Sequence, residues 1–321
     1  MLEAIYDSLK PALFPLSNLL EMKFKLLSDK PHEPSLPYAS LIEHLQAVVT
    51  LVPKLIVTAL SMYFLFSTHP LEKCKELEIN WIIHILIRNL LIIWLLGGTW
   101  DFILYSHISP FYETMKTVKL NKDYPTWELT KFCMFWTNVS SVIMSMQEIA
   151  YYYLIANNYL PAPSELYTLN TAIWIFTLSH WRIVHFYVIH RVMHPWKTKY
   201  IPDFGNVLYK WVHALHHKSY NPTAWSGVSM HPIESFLYFS VSFIPAFFGA
   251  HPFVFLATQL DALLGAIWGH DGFGEPGSAS YPHYLHHKYF DYNYGETYVP
   301  IDWLFNSFKG DEKADSNKLS K

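Results

Sequence analysis

The fold class of this chain is decided by one apolar stretch, residues 81–98, which reads WIIHILIRNLLIIWLLGG. A helix needs about 20 mainly apolar residues to cross the hydrocarbon core of a membrane. The backbone N–H and C=O groups of a single open strand would have no hydrogen-bond partners in lipid, so a crossing segment of this kind has to be helical. The stretch therefore predicts a transmembrane helix.

Three other stretches have the same apolar character, and a second apolar zone follows them. The three stretches are residues 47–67, 132–155 and 170–190. The later zone, residues 235–269, is broken by the pair His251-Pro252, which favours two half-length helices over one long helix. The sequence thus predicts an all-α, multi-pass membrane helical bundle of about four full spans plus a hairpin. Lys54, Arg88 and Arg182 fall inside the predicted spans, where they are expected to snorkel or to face the bundle interior.

Composition excludes several functional classes. Of the 321 residues, 51% are hydrophobic, 17% aromatic and only 15% charged, and the formal net charge is −3. With no Lys/Arg tract, nucleic acid is not an expected partner. Cys74 and Cys133 form neither a C-x-x-C motif nor a disulfide framework, so any metal chemistry is expected to depend on histidine.

The distribution of basic residues predicts an orientation and a division of the chain. Lys and Arg are frequent before residue 47, in 99–131 and in 191–218, and absent from 156–169. The positive-inside rule then places the N-terminus and a histidine-rich cap on the cytosolic side. The predicted parts are a cytosolic or interfacial segment at 1–46, a membrane-embedded domain at 47–310 and a flexible tail at 311–321.

Histidines concentrate between residues 190 and 287, and their spacing carries the chemistry. They form the boxes His190-x-x-x-His194, His213-x-x-His216-His217 and His283-x-x-His286-His287, with His231 and His270 standing singly. Positions i, i+3 and i+4 share one helix face, so each box is expected to aim two or three nitrogens at a common point. Eight or more nitrogens exceed the four ligands of a structural zinc ion and suit two metals, although imidazole alone does not distinguish Zn, Cu, Fe and Ni. The isolated histidines His84, His180, His185 and His251 are expected to be structural.

Four segments resemble the histidine boxes of the fatty acid hydroxylase/sterol desaturase superfamily over roughly residues 170–310. They read HRVMH at 190–194, HALHH at 213–217, GHDGF at 269–273 and HYLHHKYFDYNYG at 283–295, and the last is especially similar to the sterol C5-desaturase branch. The resemblance implies a multi-pass enzyme of the endoplasmic reticulum membrane. It also implies two iron ions, O2, and electrons from cytochrome b5 and its reductase, used to oxidise an unactivated C–H bond of a lipid. The implied ligands are the histidines of the three boxes together with His270 and, through a weaker match, His231.

The resemblance favours C5(6)-desaturation of a sterol, while hydroxylation of a fatty acyl chain or a sphingolipid remains open. A third interpretation is a structural subunit of a membrane complex that retains the metal site. A histidine-lined zinc transporter fits less well, because the histidines follow the last clear span.

Two further sets of residues are expected near the site. The carboxylates Glu234, Asp271, Asp291 and Glu296 would orient ligands, and the aromatic residues Trp211, Trp225, Trp268 and Tyr220 would line a sterol-sized cavity.

Overall fold

The computed structural model describes residues 36–121, 123–196, 201–274 and 281–310. Most of the predicted N-terminal segment 1–46 and the whole predicted tail 311–321 lie outside the described residues. Within the described ranges the regular structure is helical, and the β-type pairing recorded is one isolated bridge between Lys119 and Phe273.

The helices are named here in chain order. They are α1 Leu41–Thr68, α2 Ile79–Ile92, α3 Gly98–Tyr105, α4 Tyr112–Thr117, α5 Trp127–Ala156, α6 Leu169–Phe176, α7 Leu178–Val192, α8 Phe204–Trp211, α9 Pro232–Phe239, α10 Phe243–Phe247, α11 Pro252–Gly269, α12 Tyr281–Tyr289 and α13 Ile301–Leu304. A π-helical turn at Ile93–Gly97 joins α2 to α3. Short 3-10 turns occupy Leu71–Lys75, His213–Lys218, Ala224–Ser226 and Ser240–Ser242.

Three of these helical segments are long and apolar enough to cross a membrane. They are Glu43–Thr68 within α1, Ile79–Tyr105 across α2 and α3, and Pro252–Gly269, which is α11. The pair α6 and α7 is bent by 58° and makes a fourth crossing if it counts as one span. The predicted fold class, an all-helical membrane protein, is confirmed.

Helix α5 contains the predicted span 132–155, but it is not apolar enough to be one of these candidate spans. It has 30 residues, long enough to cross. Its inward face carries polar side chains that bond to neighbouring helices. The Ser140 and Ser235 hydroxyls lie 2.6 Å apart, and the Gln147 amide donates to the Phe236 carbonyl at 2.7 Å. These bonds fix α5 against α9 from the inside, as polar side chains commonly do between membrane helices.

The predicted break near residue 251 is present, but the expectation of two half-length helices is wrong for the second, because α11 has 18 residues and is long enough to cross a membrane. His251 caps α11, its Nδ1 accepting from the Phe253 N–H at 3.0 Å, and Pro252 occupies the first turn. Proline suits this place because its missing N–H would have had no helical partner. In α11, 78% of an 18-residue apolar stretch is buried inside the protein, whereas the corresponding share in α1 is 28%. Helix α11 is therefore a central helix around which the others pack.

The three basic residues inside the predicted spans all face the protein interior. Lys54 Nζ lies 2.5 Å from Asp261 Oδ1, and Arg182 Nε lies 2.7 Å from Asp261 Oδ2. Arg88 pairs with the fully buried Glu148. A charge within a span has to be paired in this way because its isolated burial in lipid is expensive.

Candidate metal centre

The grouped histidines are carried by α7, one 3-10 turn, α12 and the end of α11. His190 lies in the last turn of α7, and His194 follows that helix. The second box forms the 3-10 turn His213–Lys218, and the third lies on α12. His270 is the residue that ends α11. The expectation of an α-helix under every box is thus wrong for the second, which winds with about three residues per turn.

Nine of the ten predicted ligands come together in two adjacent groups. Within each group the candidate ligand nitrogens all lie within 4.8 Å of one another, and every member is buried. The five-histidine group contains His190, His194, His213, His217 and His286. The four-histidine group contains His216, His270, His283 and His287.

The two groups divide the second and third boxes between them. In the second box, His213 and His217 belong to the five-histidine group and His216 to the four-histidine group. In the third box, His286 belongs to the five-histidine group, and the other two histidines belong to the four-histidine group. Each box was expected to serve one common point. Adjacent residues point about 100° apart on an α-helix and about 120° apart on a 3-10 turn, so neighbouring histidines in the third and second boxes diverge. The pairs His216-His217 and His286-His287 therefore each link the two groups.

Backbone carbonyls fix the orientation of four of the rings. The Nδ1 atoms of His190 and His286 lie 2.7 Å and 2.6 Å from the carbonyl oxygens of Tyr294 and Tyr292. Those of His216 and His270 lie 3.3 Å and 2.8 Å from the carbonyl oxygens of Ser229 and Ala266. A carbonyl oxygen only accepts, so each Nδ1 carries the hydrogen and each Nε2 presents a lone pair. Metal-binding histidines are commonly oriented by such a bond.

The donor set fits metal ions. In His216 and His270 both Nε2 atoms present lone pairs, and they lie 3.1 Å apart. Two lone pairs at this distance repel unless a cation lies between them. Other Nε2 pairs, such as His213 with His217 at 3.0 Å, are equally close. These separations match neighbouring ligands around one ion with metal–nitrogen bonds of about 2.1 Å.

The rings are neutral, as metal ligation requires. Burial, followed by repulsion from neighbouring imidazoles, holds the pKa of His213, His216 and His217 well below the ordinary histidine value. Burial is also the main cause that lowers the pKa of His286. A neutral imidazole offers a lone pair to a metal, whereas a protonated one does not.

Glu234, one of the expected carboxylates, contacts a grouped histidine. His213 Nδ1 lies 2.7 Å from Glu234 Oε1, and both side chains are buried. Asp271 instead accepts from the Trp100 indole at 3.0 Å and from the Phe273 N–H. Glu296 pairs with Arg182 at 3.3 Å, away from the rings. Glu234 therefore acts on a ligand directly, as carboxylates beside metal-binding histidines commonly do.

His231 joins neither histidine group. It caps α9, with its Nδ1 accepting from the Ile233 N–H at 3.2 Å. The isolated histidines are also outside both groups. His180 stacks on His44, and His185 lies 3.3 Å from the Ser240 hydroxyl.

One cavity of about 210 Å³ touches both histidine groups, and it is called the central cavity here. His190 and His213 line it from the first group, and His216, His270 and His283 from the second. Its other end is lined by Lys54, Arg182, Asp261 and Glu296, which are called the charge quartet here. Of the four predicted aromatic residues Trp268 lines this cavity, whereas Trp211 and Tyr220 are 71% and 69% exposed. Trp225 belongs to a different cavity.

Sequence reasoning missed two features of the site. One is the loop at residues 292–295, whose carbonyl oxygens orient His190 and His286. Asp302 holds this loop in place by accepting hydrogen bonds from the N–H groups of Tyr294 and Gly295 at 2.9 Å and 2.7 Å. The other is Asp261, an acidic residue in an apolar helix. A charge inside an apolar segment was the available signal for Asp261, since such a residue needs a partner.

The fold and the site together define a class: an all-helical membrane protein with two adjacent groups of buried histidines that can each hold a metal ion. Residues 174–307 match the model of the fatty acid hydroxylase family, and this match confirms the predicted resemblance. All nine grouped histidines lie inside the matched range.

Curated relatives align over about half of the chain or less. Very-long-chain aldehyde decarbonylase GL1-11 of Oryza sativa is 29% identical over 184 residues, which are 53% of this chain and 64% of the relative. Lathosterol oxidase of Homo sapiens is 29% identical over 54% of this chain and 57% of its own length. Delta(7)-sterol 5(6)-desaturase erg3C of Aspergillus fumigatus is 33% identical over 40% of this chain and 46% of its own. The chain thus spans roughly half to two thirds of these relatives, and no solved structure matches it significantly.

Proposed function

We propose that the protein is a membrane-bound oxidoreductase that uses two histidine-ligated iron ions and O2 to oxidise a C–H bond of a lipid, with a sterol as substrate and C5(6)-desaturation as the reaction. The single observation that carries the proposal is the pair of converging histidine groups beside one cavity. Their nitrogens face one another with lone pairs, and the cavity reaches both groups at once.

The ligand assignment follows from this geometry. The five-histidine group would hold one iron and the four-histidine group the other. When bound, the two irons would supply the activation of O2 that an unactivated C–H bond requires. The protein's own part is to hold the rings neutral and oriented, through the carbonyls of Tyr292, Tyr294, Ser229 and Ala266 and through Glu234.

The central cavity would position the lipid and exclude water. Phe186, Met230 and Trp268 give it apolar walls, and Gly269 leaves room beside His270. A β-carbon added at Gly269 would meet no heavy atom within 4 Å. At the far end Thr50 is exposed, so the cavity reaches the surface beside α1. A lipid could enter there laterally from the membrane.

The sterol assignment is supported by two of the relatives, whose names specify a lathosterol oxidase and a Delta(7)-sterol 5(6)-desaturase. The rice relatives are named for very-long-chain aldehydes and favour long acyl chains as the second candidate substrate class. As the resemblance implies, the electrons would come from cytochrome b5 and its reductase. The enzyme would lie in the endoplasmic reticulum, with residues 47–310 as one membrane domain and its N-terminus and histidines cytosolic.

The proposal is tested by expressing the chain in a host that lacks its own sterol C5-desaturase. Mass spectrometry of sterols and acyl lipids should reveal a new sterol double bond that depends on O2. Iron analysis of the purified protein should find two ions per chain. New oxidised acyl lipids with unchanged sterols would contradict the sterol assignment alone. No change in either lipid class, with two irons bound, would contradict the enzymatic assignment and favour the structural-subunit interpretation.

A variant tests the role of the central cavity. Gly269→Leu places an apolar side chain in the open space and should reduce product formation at least about ten-fold while iron remains bound, because substrate and leucine compete for one volume. Val188→Leu, at a position on α7 that is 49% exposed, is the matched control and should leave activity unchanged. Full activity of the Gly269 variant would exclude the central cavity as the substrate site.

A further inference from the structure

A second cavity lies on the outside of the protein, between α2–α3 and α5. It has a volume of about 400 Å³, and none of the grouped histidines lines it. Its walls are mainly aromatic, formed by Trp94, Phe102, Tyr105, Trp127 and Trp225. Trp94 is 45% exposed and Trp127 64%, so the cavity is an open groove, called the aromatic groove here.

The aromatic groove lies at one end of a membrane span. Asp101, at its base, is four residues before the end of the span at Tyr105, or about 6 Å along the helix axis. The Tyr105 hydroxyl lies 2.7 Å from the carbonyl oxygen of Asp271, which follows His270. The groove therefore belongs to the same side of the membrane as the histidine groups, at the level where lipid headgroups begin.

The backbone is adapted to form this groove. The π-helical turn at Ile93–Gly97 interrupts the span, and such turns are often found at functional sites. Trp94 lies in that turn, with its ring centroid 5.0 Å from that of Trp225. A β-carbon at Gly98 would lie 3.6 Å from Trp225, an ordinary van der Waals distance, so a side chain longer than that of alanine would be needed to fill this part of the groove.

Asp101 gives the groove a negative charge that no basic residue of its lining balances. Asp101 is the one charged side chain in its lining, which contains no Lys or Arg. The Asp101 carboxylate accepts hydrogen bonds from the Trp225 side chain and the Ala224 N–H, while its Oδ1 atom is buried without a partner. No ion pair of Asp101 occurs in the described part of the chain. A carboxylate without an ion pair inside a span is unfavourable in free energy, and a cation bound in the groove would offset that cost.

We propose that the aromatic groove binds the quaternary ammonium head of a choline lipid. Ring faces attract such cations, and the attraction strengthens where water is excluded. A quaternary ammonium has no N–H to satisfy, so aromatic walls and one carboxylate meet its needs. A primary ammonium carries three N–H donors and is strongly hydrated, so its transfer from water to an aromatic-walled groove costs more free energy than that of a quaternary ammonium. This lipid site is separate from the central cavity and does not depend on the proposed enzymatic function.

The test is lipid retention by the full-length, detergent-purified protein. The protein is incubated with equal amounts of phosphatidylcholine, phosphatidylethanolamine and phosphatidylglycerol, and native mass spectrometry counts the lipids that remain bound. Phosphatidylcholine should be retained about ten-fold over the other two. Equal retention of all three would overturn the proposal and reduce the groove to an ordinary interfacial aromatic belt. Equal retention of the choline and ethanolamine lipids would overturn the quaternary ammonium assignment.

Variants locate the site. Asp101→Asn should remove the preference for phosphatidylcholine, and Asp101→Glu should keep it, because the second retains the charge. Phe102→Ala removes one exposed wall of the groove without changing its charge and should also weaken the retention of phosphatidylcholine. This variant replaces Asp101→Asn in the test if Asp101→Asn does not fold. Glu113→Gln, which neutralises an exposed carboxylate on α4 outside the groove, is the matched control. An unchanged preference in Asp101→Asn or, where that variant does not fold, in Phe102→Ala would overturn the proposal.

Discussion

The two ends of the central cavity bury polar groups in opposite ways. In the charge quartet each cation faces an anion: Lys54 lies 2.5 Å from Asp261, and Arg182 lies 2.7 Å from Asp261 and 3.3 Å from Glu296. In the histidine groups a nitrogen lone pair faces another lone pair, and the Nε2 atoms of His216 and His270, for example, lie 3.1 Å apart.

This difference separates structure from function. Buried charges that cancel within the protein need nothing from outside, and they hold α1, α7 and α11 together. Buried lone pairs that point at one another are compensated only when a cation is bound. The quartet should therefore govern whether the protein folds, and the histidine groups whether it holds metal and reacts.

The largest expected effect is the loss of a histidine that lines the central cavity. His270→Ala removes a ligand from the four-histidine group and should reduce lipid oxidation at least about 100-fold, because the remaining nitrogens under-coordinate the ion. Product formation and iron content per chain are measured together on the same preparation.

His231→Asn is the matched control for that variant. His231 lies outside both groups, and asparagine can also accept a bond as a helix cap, so activity and iron content should be retained. Full activity in His270→Ala would contradict the metal assignment for this group.

The next effect concerns the charge quartet and should appear in stability. Asp261→Ala leaves Lys54 and Arg182 without their shared partner and should destabilise the fold by about 3–5 kcal/mol. The measurement is the denaturant midpoint of the detergent-solubilised protein in its metal-free form, which separates this effect from metal binding.

Lys131→Ala gives the comparison with an exposed pair. Lys131 Nζ lies 2.7 Å from Glu128 Oε1, and both side chains are largely exposed. The free energy of unfolding should therefore fall by less than about 1 kcal/mol. Similar effects for Asp261→Ala and Lys131→Ala would show that the quartet is not the structural element inferred here.

The smallest effect on the reaction should come from the residue that orients a ligand without binding metal. Glu234→Gln keeps the size of the side chain but weakens the bond to His213 Nδ1. Iron affinity should fall about 10–100-fold, as for other partners of metal-binding histidines. Excess iron should restore turnover in Glu234→Gln but not in His270→Ala. If iron rescued both variants equally, the distinction between ligand and orienting residue would fail.

Much of the fold could be predicted because its signals are local. The stretch 81–98 and its neighbours indicate membrane helices from composition alone, and the pair His251-Pro252 marks the break before α11. Helix α5 was a weaker case, because the polar residues on its buried face lower its apolar character although they are satisfied by α9.

The sequence by itself determined that this is a helical membrane protein, that its candidate metal ligands are histidines and that residues 174–307 resemble one family. Only the tertiary structure decided how those histidines divide, which carboxylate contacts them and which charges cancel. The reason is distance along the chain: Lys54 and Asp261 are 207 residues apart, and His190 and the Tyr294 carbonyl 104. Periodicity and spacing describe neighbours within a few turns. Contacts across such separations depend on how the helices pack, which no local pattern encodes.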